Sequence, residues 1–374
     1  MTSQQRTTPS EEILDLEGFE RLIAALKQAG YTTIGPLERS GAIVLGEIGS
    51  TADIPAGRVD EQDAGRYRLM DEPAGSLFAH VVGPHSLKHH LYPAEIRLIG
   101  AHLTDSGFKL EAFKEDPPRY AFIGVRACDT AAVAVLDGVL LDGPSADPVY
   151  AARRKKMFIV AVDCTRPGGT CFCVSMKTGP RVVSGFDIAM TELNLDGRHC
   201  FVARAGSREG EQILKSAGAK LAPEEDKRLA AEVMEKAARK MGRRMDTETL
   251  DALFFEHFEH PHWDEVAARC LTCGNCTLVC PTCFCHGVSE ENAVDGRSAG
   301  RIRMWDTCFS RDFSYIHGGS VRESARSRYR QWMTHKLVTW VPQFGARGCV
   351  GCGRCITWCP VGIDITAEVK ALQA

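Results

Sequence analysis

The 374-residue sequence lacks the motifs by which a chain usually binds a nucleotide or carries out hydrolysis. It has no G-x-G-x-x-G at a strand–helix turn and no P-loop, the usual signatures of a bound dinucleotide or nucleoside triphosphate. G-x-S-x-G and H-E-x-x-H are missing too, so neither a serine hydrolase elbow nor a zinc-protease helix is indicated. We therefore expect no flavin, nicotinamide or nucleotide site and no catalytic residues of these types in this chain.

Long apolar runs and strong net charge are also missing. No stretch approaches the length of a membrane span, and the polar N-terminus lacks the apolar centre of a signal peptide. The net charge of −3 gives no basic field that would attract nucleic acid or an anionic membrane surface. These features predict a cytoplasmic protein with no membrane span and no nucleic-acid partner. The length exceeds one hydrophobic core, so two or three domains are expected.

Cysteine, in contrast, is abundant: the chain has sixteen, and eight of them form two copies of one run. Each copy reads C-x2-C-x2-C-x3-C-P, the ligand run of bacterial-type [4Fe–4S] ferredoxins. Three cysteines of a run wrap one cluster, whereas the fourth, before the proline, ligates the other cluster. A zinc site is the alternative, but zinc usually takes paired C-x2-C knuckles rather than three linked steps. The predicted ligands are Cys270, Cys273, Cys276 and Cys359 for one cluster, and Cys349, Cys352, Cys355 and Cys280 for the other.

The N-terminal part of the chain reads as a mixed α/β domain. Apolar runs at 120–125 and 157–162 predict two buried strands, and residues 129–141 between them predict an amphipathic helix. A β-α-β unit of this kind places its two strands parallel and close together. We also expect a helix over 11–29, a hairpin across 34–48, and strands at 77–82 and 199–203.

Four further cysteines follow the ends of these two parallel strands. Cys128 comes directly after the first strand and Cys164 after the second, with Cys171-Phe-Cys173 just beyond a Pro-Gly-Gly segment. Because the carboxyl ends of parallel strands meet at one edge of a sheet, these thiols should converge there. The prediction is a third [4Fe–4S] cluster held by Cys128, Cys164, Cys171 and Cys173. A zinc site, or buried cysteines that act as small hydrophobic residues, are the alternatives.

Three other cysteines lie near the first run or in the segment between the runs. Cys283, Cys285 and Cys308 are interpreted either as thiols packed beside the clusters or as extra ligands. The many arginines between 301 and 330 could offset the negative charge of thiolate-bound clusters. They could equally form a solvated face or a docking surface.

The chain is therefore predicted to have three parts. Residues 1–221 form the mixed α/β domain, 222–268 a helical connection, and 269–374 a helix-rich, two-cluster ferredoxin-like domain. The fold class is α+β or mixed α/β followed by this ferredoxin-like domain. The long segment between the cysteine runs, with a helical pattern from 329 to 337, favours helices over a compact β-hairpin ferredoxin.

Several short segments together resemble a known family. These are Gly124-Val-Arg-Ala-Cys-Asp129, Pro167-Gly-Gly-Thr-Cys-Phe-Cys173, Cys280-Pro-Thr-Cys-Phe-Cys285, Trp305-Asp-Thr-Cys-Phe309 and the Cys349–Cys355 run. They are similar to the iron–sulfur beta subunit of soluble sulfhydrogenase-type [NiFe] hydrogenases, a family that includes the corresponding iron–sulfur subunit of anaerobic sulfite reductases.

The resemblance implies an electron-transfer subunit of a cytoplasmic heterotetramer. A gamma-type subunit that binds FAD and NAD(P) would stand at one end of the path. A [NiFe] catalytic subunit, together with a small iron–sulfur hydrogenase subunit, would stand at the other. In the sulfite reductase version, the terminal partner would carry sirohaem. Two further hypotheses remain, namely a ferredoxin-like subunit of another oxidoreductase, such as a disulfide reductase, and a protein whose clusters are purely structural.

Overall fold

The computed structural model describes residues 10–81, 83–195 and 197–373. The strands are β1 (Glu11–Asp15), β2 (Thr32–Arg39), β3 (Ala42–Glu47), β4 (Arg58–Asp63), β5 (Arg66–Asp71), β6 (Glu95–Thr104), β7 (Gly107–Ala112), β8 (Tyr120–Val125), β9 (Met157–Val162), β10 (Ile188–Leu195), β11 (Arg198–Ala205), β12 (Lys220–Leu221), β13 (His286–Asn292), β14 (Ser298–Trp305), β15 (Tyr315–Ile316) and β16 (Gly319–Ser320). The helices are α1 (Leu16–Gln28), α2 (Lys88–Leu91), α3 (Ala127–Leu140), α4 (Pro148–Lys155), α5 (Arg208–Ser216), α6 (Glu224–Arg239), α7 (Leu250–Glu256), α8 (His262–Arg269), α9 (Asn275–Leu278), α10 (Ala325–Thr334), α11 (Trp340–Phe344), α12 (Arg354–Thr357) and α13 (Ile365–Ala371).

An eight-stranded mixed sheet forms the centre of the N-terminal part. Its strand order is β12-β1-β11-β10-β9-β8-β2-β3. The four central strands β2, β8, β9 and β10 run parallel, and the outer strands pair antiparallel. The β-α-β unit predicted from the sequence is confirmed, since β8 and β9 have the predicted bounds and α3 connects them. The helix begins at Ala127, two residues before the predicted start, with Arg126 at the N-cap.

Helices cover both faces of this sheet. On one face, α1 buries Phe19, Leu22, Ile23 and Leu26 at the spacing of one helical stripe. On the other, α3 packs Val133 and its neighbours against the strands. The burial of each such side chain stabilises the fold by roughly 1.5–3 kcal/mol. The packed helices therefore hold the strands, and the residues at the strand ends, in place.

The remaining local predictions for this region have mixed outcomes. The hairpin is confirmed as β2–β3, and the strand at 199–203 lies within β11. The helix expected over 11–29 begins only at Leu16, because residues 11–15 form β1 and pair with β11. Asp15 then caps the helix by accepting a hydrogen bond of 2.7 Å from the N–H of Gly18.

The strand predicted at 77–82 is wrong for the residues that the structure describes there, 77–81, while residue 82 lies outside the described residues. The backbone N–H groups of Leu77 and Phe78 instead donate to the carboxylate of Glu192, at 2.6 and 2.9 Å. A buried carboxylate thus satisfies the donors that a neighbouring strand would otherwise have paired.

The segment between the cysteine runs contains a β-hairpin as well as helices. Strands β13 and β14 pair with β6 and β7 in a four-stranded sheet of order β13-β14-β6-β7. This hairpin departs from the helix-rich segment predicted from the sequence, and it joins the C-terminal part to residues 95–112. The predicted helix near 329–337 is present as α10 and a following π-helical turn at His335–Thr339.

Three helices, α6, α7 and α8, lie in or next to the predicted helical connection, although the boundaries of the three predicted domains remain predictions. None of the helices in the described ranges is both long enough and apolar enough to cross a membrane.

Candidate metal centres

Each cysteine run folds as a loop that turns through a left-handed glycine into a one-turn helix. Gly274 (φ 73°) precedes α9, and Gly353 (φ 75°) precedes α12. A Cβ atom on Gly274 would lie 2.6 Å from Thr307 Cγ2, and one on Gly353 would lie 2.5 Å from the carbonyl oxygen of Thr170. Glycine is therefore required at both turns, which bring the first, second and third cysteines of each run around one space.

The first site comprises Cys270, Cys273, Cys276 and Cys359, as predicted for the first cluster. All four line one cavity, together with Cys355 of the second run. Its walls are apolar and aromatic, formed by residues such as Phe309, Tyr329, Trp332, Ile363 and Ile365. Cys273 is exposed, so the first site lies at the protein surface. The fourth cysteine of the second run therefore faces the first run, as the crosswise ligand prediction requires.

The second site comprises Cys349, Cys352, Cys355 and Cys280. Burial raises the pKa of Cys349 to about 12, and the charges of Cys352 and Cys280 act in the same direction. Cys355 likewise has a pKa raised by burial and then by the charges of Cys349, Cys352 and Cys280. These mutual influences place Cys280 of the first run beside the three leading cysteines of the second.

The third site comprises Cys128, Cys164, Cys171 and Cys173, and these four thiols line one cavity. Cys128 lies in the first turn of α3 and Cys164 just after β9, so the edge of the parallel sheet brings them together. Cys352 of the second site lines the same cavity, and its carbonyl oxygen is 3.8 Å from the Cys171 sulfur. The N–H of Phe172 donates to the carbonyl of Gly351 at 2.8 Å, which holds the two segments in register.

In the first and third sites the thiols surround a cavity rather than converge on a point. Across residues 10–81, 83–195 and 197–373, no three His, Cys, Asp or Glu side chains come close enough together to hold a single metal ion. Four thiols spaced around a small apolar cavity fit a cluster of several irons, which needs its ligands on different sides. All sixteen cysteines lie within the described residues, and each is a free thiol.

Comparison with known proteins shows which families this chain is similar to. Residues 269–363 match the model of the 4Fe-4S dicluster domain family. The sulfhydrogenase 2 subunit beta of Pyrococcus furiosus is 36% identical over 258 residues, which cover 68% of this chain and 73% of that protein.

The chain belongs to the sulfhydrogenase beta-subunit family. The resemblance identified from the short segments is thereby confirmed, as is the presence of a [4Fe–4S] dicluster domain. The four cysteines of the third site lie outside the dicluster match, at one edge of the N-terminal sheet.

Burial disfavours the thiolate form of the third-site cysteines unless a positive charge lies beside them. It raises the pKa of Cys128 and Cys171 well above the ordinary value, and neighbouring thiol charges add to the effect. Burial also raises the pKa of Cys173 to about 12. Iron ions would displace the protons and supply the missing charge, so binding at the third site should release protons.

Two buried lysines face the thiols near the second site. Lys336 Nζ donates to Thr282 Oγ1 at 2.7 Å and to the carbonyl of Gly348 at 2.8 Å. Lys88 Nζ donates to the carbonyls of Thr277 and Leu278, at 3.3 and 3.1 Å, and lies 4.2 Å from the centre of the Trp305 ring. Within the described parts of the chain, neither lysine forms an ion pair with a carboxylate.

The charges of nearby thiolates oppose the effect of burial on both lysines. For Lys336, the charges of Cys280 and Cys283 outweigh burial and raise its pKa well above the ordinary value. For Lys88, burial lowers the pKa, although the charges of Cys283 and Cys280 act against it. Cysteine sulfurs rather than carboxylates therefore face these two lysines.

Cys283, Cys285 and Cys308 form contacts with one another and with the second site. A hydrogen bond from Cys283 lowers the pKa of Cys280 well below its ordinary value, against the cost of burial. The side chain and backbone N–H of Cys308 lower the pKa of Cys285 to about 7, against the effect of burial. These three residues are half-buried, whereas Cys128 and Cys171 of the third site are buried. Both interpretations from the sequence, thiols packed beside the clusters and extra ligands, remain predictions.

The second run also contributes a buried ion pair that the sequence did not reveal. Arg354, within Cys-Gly-Arg-Cys, is 2% exposed and lies 2.9 Å from the carboxylate of Asp129. It also donates to the carbonyls of Gly83 and His85, each at 3.0 Å. Asp129, in the first turn of α3, thereby anchors the dicluster segment to the N-terminal sheet beside Cys128.

The arginines between 301 and 330 mostly do not face the thiols. Arg301 pairs with Glu290 at 2.7 Å, while Arg326 and Arg330 pair with Glu259 at 2.7 and 2.9 Å. The cations beside the second and third sites are instead Lys88, Lys336, Arg354 and the buried Arg126, which lines the cavity of the third site. A sequence pattern cannot identify Lys88 and Lys336, because each reaches the thiols through tertiary contacts.

Proposed function

We propose that this chain is the electron-transfer iron–sulfur subunit of a hydrogenase complex, with [4Fe–4S] clusters at the first, second and third sites. The ligands would be the twelve cysteines predicted from the sequence, four at each site. Bound clusters of this kind supply reversible one-electron chemistry. The proposal draws on the family of the chain and on the arrangement of its thiols.

One observation carries the proposal: the second cysteine run takes part in the surroundings of all three sites. Cys355 lines the cavity of the first site, and Cys352 lines the cavity of the third. The three thiol sets therefore form a continuous series, with the second site in the middle. Clusters with a purely structural role would not need to form a series that connects a surface site to a buried one.

The exposed end of this series suits contact with a partner subunit. Cys273 is exposed, and the adjacent Leu271 is 61% exposed beside the same cavity. Val361, 39% exposed, adds a second apolar side chain beside the same cavity, and a grouped apolar patch of this kind suits a protein–protein contact. We propose that partners of three kinds complete the complex: a gamma-type subunit that binds FAD and NAD(P), a small iron–sulfur hydrogenase subunit, and a [NiFe] catalytic subunit. The thiolate ligands favour a reducing, cytoplasmic location.

The test is the iron content of the complex purified without oxygen, with and without a change at the third site. The three sites should hold about twelve irons per chain, at four per cluster. The variant Cys128→Ala should lose about four of them while the dicluster signals remain. Cys200→Ala, which removes a buried thiol of β11 remote from all three sites, is the matched control and should lose none. About eight irons in the unmodified chain would contradict the third cluster.

A further inference from the structure

The outer edge of strand β7 pairs with no other strand of the described residues. The four-stranded sheet has the order β13-β14-β6-β7, so β7 is bonded to β6 on one side and is open on the other. All six residues of β7 are exposed. An open edge presents a row of N–H and C=O groups that can pair with a strand of another chain.

The ladder between β6 and β7 shows which backbone groups point outward. The N–H of Phe113, directly after β7, donates to the carbonyl of Leu98 at 3.1 Å. Hydrogen-bonded and non-hydrogen-bonded pairs alternate along an antiparallel ladder, so the odd-numbered residues of β7 are the ones that bond to β6. Its even-numbered residues, Phe108, Leu110 and Ala112, therefore direct their N–H and C=O groups away from the sheet.

The side chains of β7 alternate between an apolar face and a charged face. Phe108 and Leu110 are 61% and 67% exposed, and they share one face of the sheet with Leu103 of β6, which is 42% exposed. Lys109 and Glu111 lie on the other face and pair with each other at 2.8 Å. The open edge thus carries one positive and one negative charge, two residues apart, behind an exposed apolar face.

These two charges select one way for the edge to pair with a copy of itself. When the outward-facing residues exchange hydrogen bonds about a two-fold axis, the central registers have the axis at Lys109, Leu110 or Glu111. An axis at Lys109 or Glu111 puts two like charges directly opposite each other, which is destabilising. An axis at Leu110 puts Lys109 opposite the second copy's Glu111, and Glu111 opposite the second copy's Lys109. These are non-hydrogen-bonded pairs, in which the side chains lie closest.

We propose that β7 pairs antiparallel with β7 of a second copy of this chain, with the two-fold axis at Leu110. The two four-stranded sheets then form one sheet of eight strands. Leu110 packs against Leu110 of the second copy, and Phe108 packs against its Ala112. The contact is separate from the proposed function, because β7 lines the cavity of neither the first nor the third site.

A second copy fits this edge because the edge is complementary to itself. A two-fold contact uses the same patch twice, so each residue must meet a suitable residue of that patch. In β7, the backbone groups, the apolar side chains and the charges meet this condition in the same register. The opposite edge of the sheet does not: β13 contains Glu290 and Glu291 but no lysine or arginine. No register of β13 with itself therefore pairs these carboxylates with a lysine or an arginine.

Charge exchange tests the contact in the full chain, purified without oxygen with its clusters and studied by analytical ultracentrifugation. The unmodified chain should dimerise with a measurable Kd. Lys109→Glu and Glu111→Lys should each raise this Kd at least tenfold, because each puts like charges opposite each other twice in the dimer. The double variant restores opposite charges, and its Kd should return to within threefold of that of the unmodified chain. Lys370→Glu, which makes the same charge change at an exposed residue of α13, is the matched control and should leave the Kd unchanged.

A mixture of the two single variants gives an independent check. Each variant supplies the charge that the other lacks, so an equimolar mixture should form a heterodimer with a Kd within threefold of that of the unmodified chain. An unmodified chain that stays monomeric would overturn the proposal. A double variant or a mixture that dimerises no more tightly than the single variants would overturn it as well.

The intact complex separates this contact from one with an unlike subunit. If the single variants release a different subunit and leave the number of copies of this chain per particle unchanged, the edge binds that subunit and the proposal fails. All variants should keep the iron content and the cluster reduction of the unmodified chain. A failure of dimerisation therefore leaves the proposed relay intact, and clusters that cannot be reduced would contradict the relay without affecting the dimer.

Discussion

The replacement of Lys336 by methionine tests how the protein sets the reduction potential of the second site. Lys336 is 4% exposed, and its Nζ donates to the hydroxyl of Thr282, which itself contacts the sulfur of Cys280 at 3.3 Å. Reduction adds one negative charge to the site, so a buried cation beside it stabilises the reduced form. Methionine keeps a similar length and removes the charge, and the potential of the second site should therefore fall.

The size of the effect follows from electrostatics. Two unit charges on the order of 6 Å apart interact by roughly 3 kcal/mol at an effective dielectric constant of about 20. For a one-electron couple, about 1.4 kcal/mol corresponds to roughly 59 mV. The expected decrease is therefore on the order of 100 mV, reduced somewhat where water or other groups adjust to the lost charge.

The assay is a potentiometric titration without oxygen, followed by electron paramagnetic resonance. Lys370→Met is the matched control, since it removes an exposed charge from α13 that water already screens, and its shift should stay within about 20 mV. A potential for Lys336→Met that is unchanged or higher than that of the unmodified chain would refute the electrostatic role of this lysine.

Three further perturbations test other parts of the structure. Cys280→Ala should alter the cluster of the second run, because Cys280 lies beside its thiols; a spectral change confined to the cluster of the first run would contradict the crosswise assignment. Arg354→Met should lower the free energy of unfolding by about 3–5 kcal/mol, since it leaves the carboxylate of Asp129 buried without its partner. Denaturant unfolding measures this change, and a decrease in the free energy of unfolding below about 1 kcal/mol would count against the ion pair as an anchor. Burial lowers the pKa of His80 to about 3, so the unfolded chain binds a proton below about pH 6.5 that the folded chain does not. Stability should therefore fall from pH 6.5 to 5.5 by about 1 kcal/mol more in the unmodified chain than in His80→Gln, and equal pH dependence in the two chains would exclude this linkage.

The parts of the fold that the sequence predicted well are those with strong local patterns. The strands at 120–125 and 157–162 are continuous apolar runs, and the helix between them leaves little choice of connection. This geometry alone brings Cys128 and Cys164 to one edge of the sheet. The spacing within each cysteine run likewise predicts the loops that place its first three thiols around a common space.

The parts that the sequence did not predict depend on distant partners. Residues 77–81 have the apolar composition of a strand, but Glu192, more than a hundred residues away, takes up two of their N–H groups. The β13–β14 hairpin depends on pairing with β6, almost two hundred residues earlier. Lys88 and Lys336 look like ordinary surface cations in the sequence, and only tertiary contact places them beside thiols.

The most direct test of the electron-transfer role is a redox titration of the intact complex, purified without oxygen and exposed to NAD(P)H or H₂. The relay predicts that the clusters of this chain become reduced by these donors and are reoxidised when an acceptor is added. Clusters that stay oxidised at every potential near those of NAD(P)H and H₂ would contradict it and leave the clusters with a structural role.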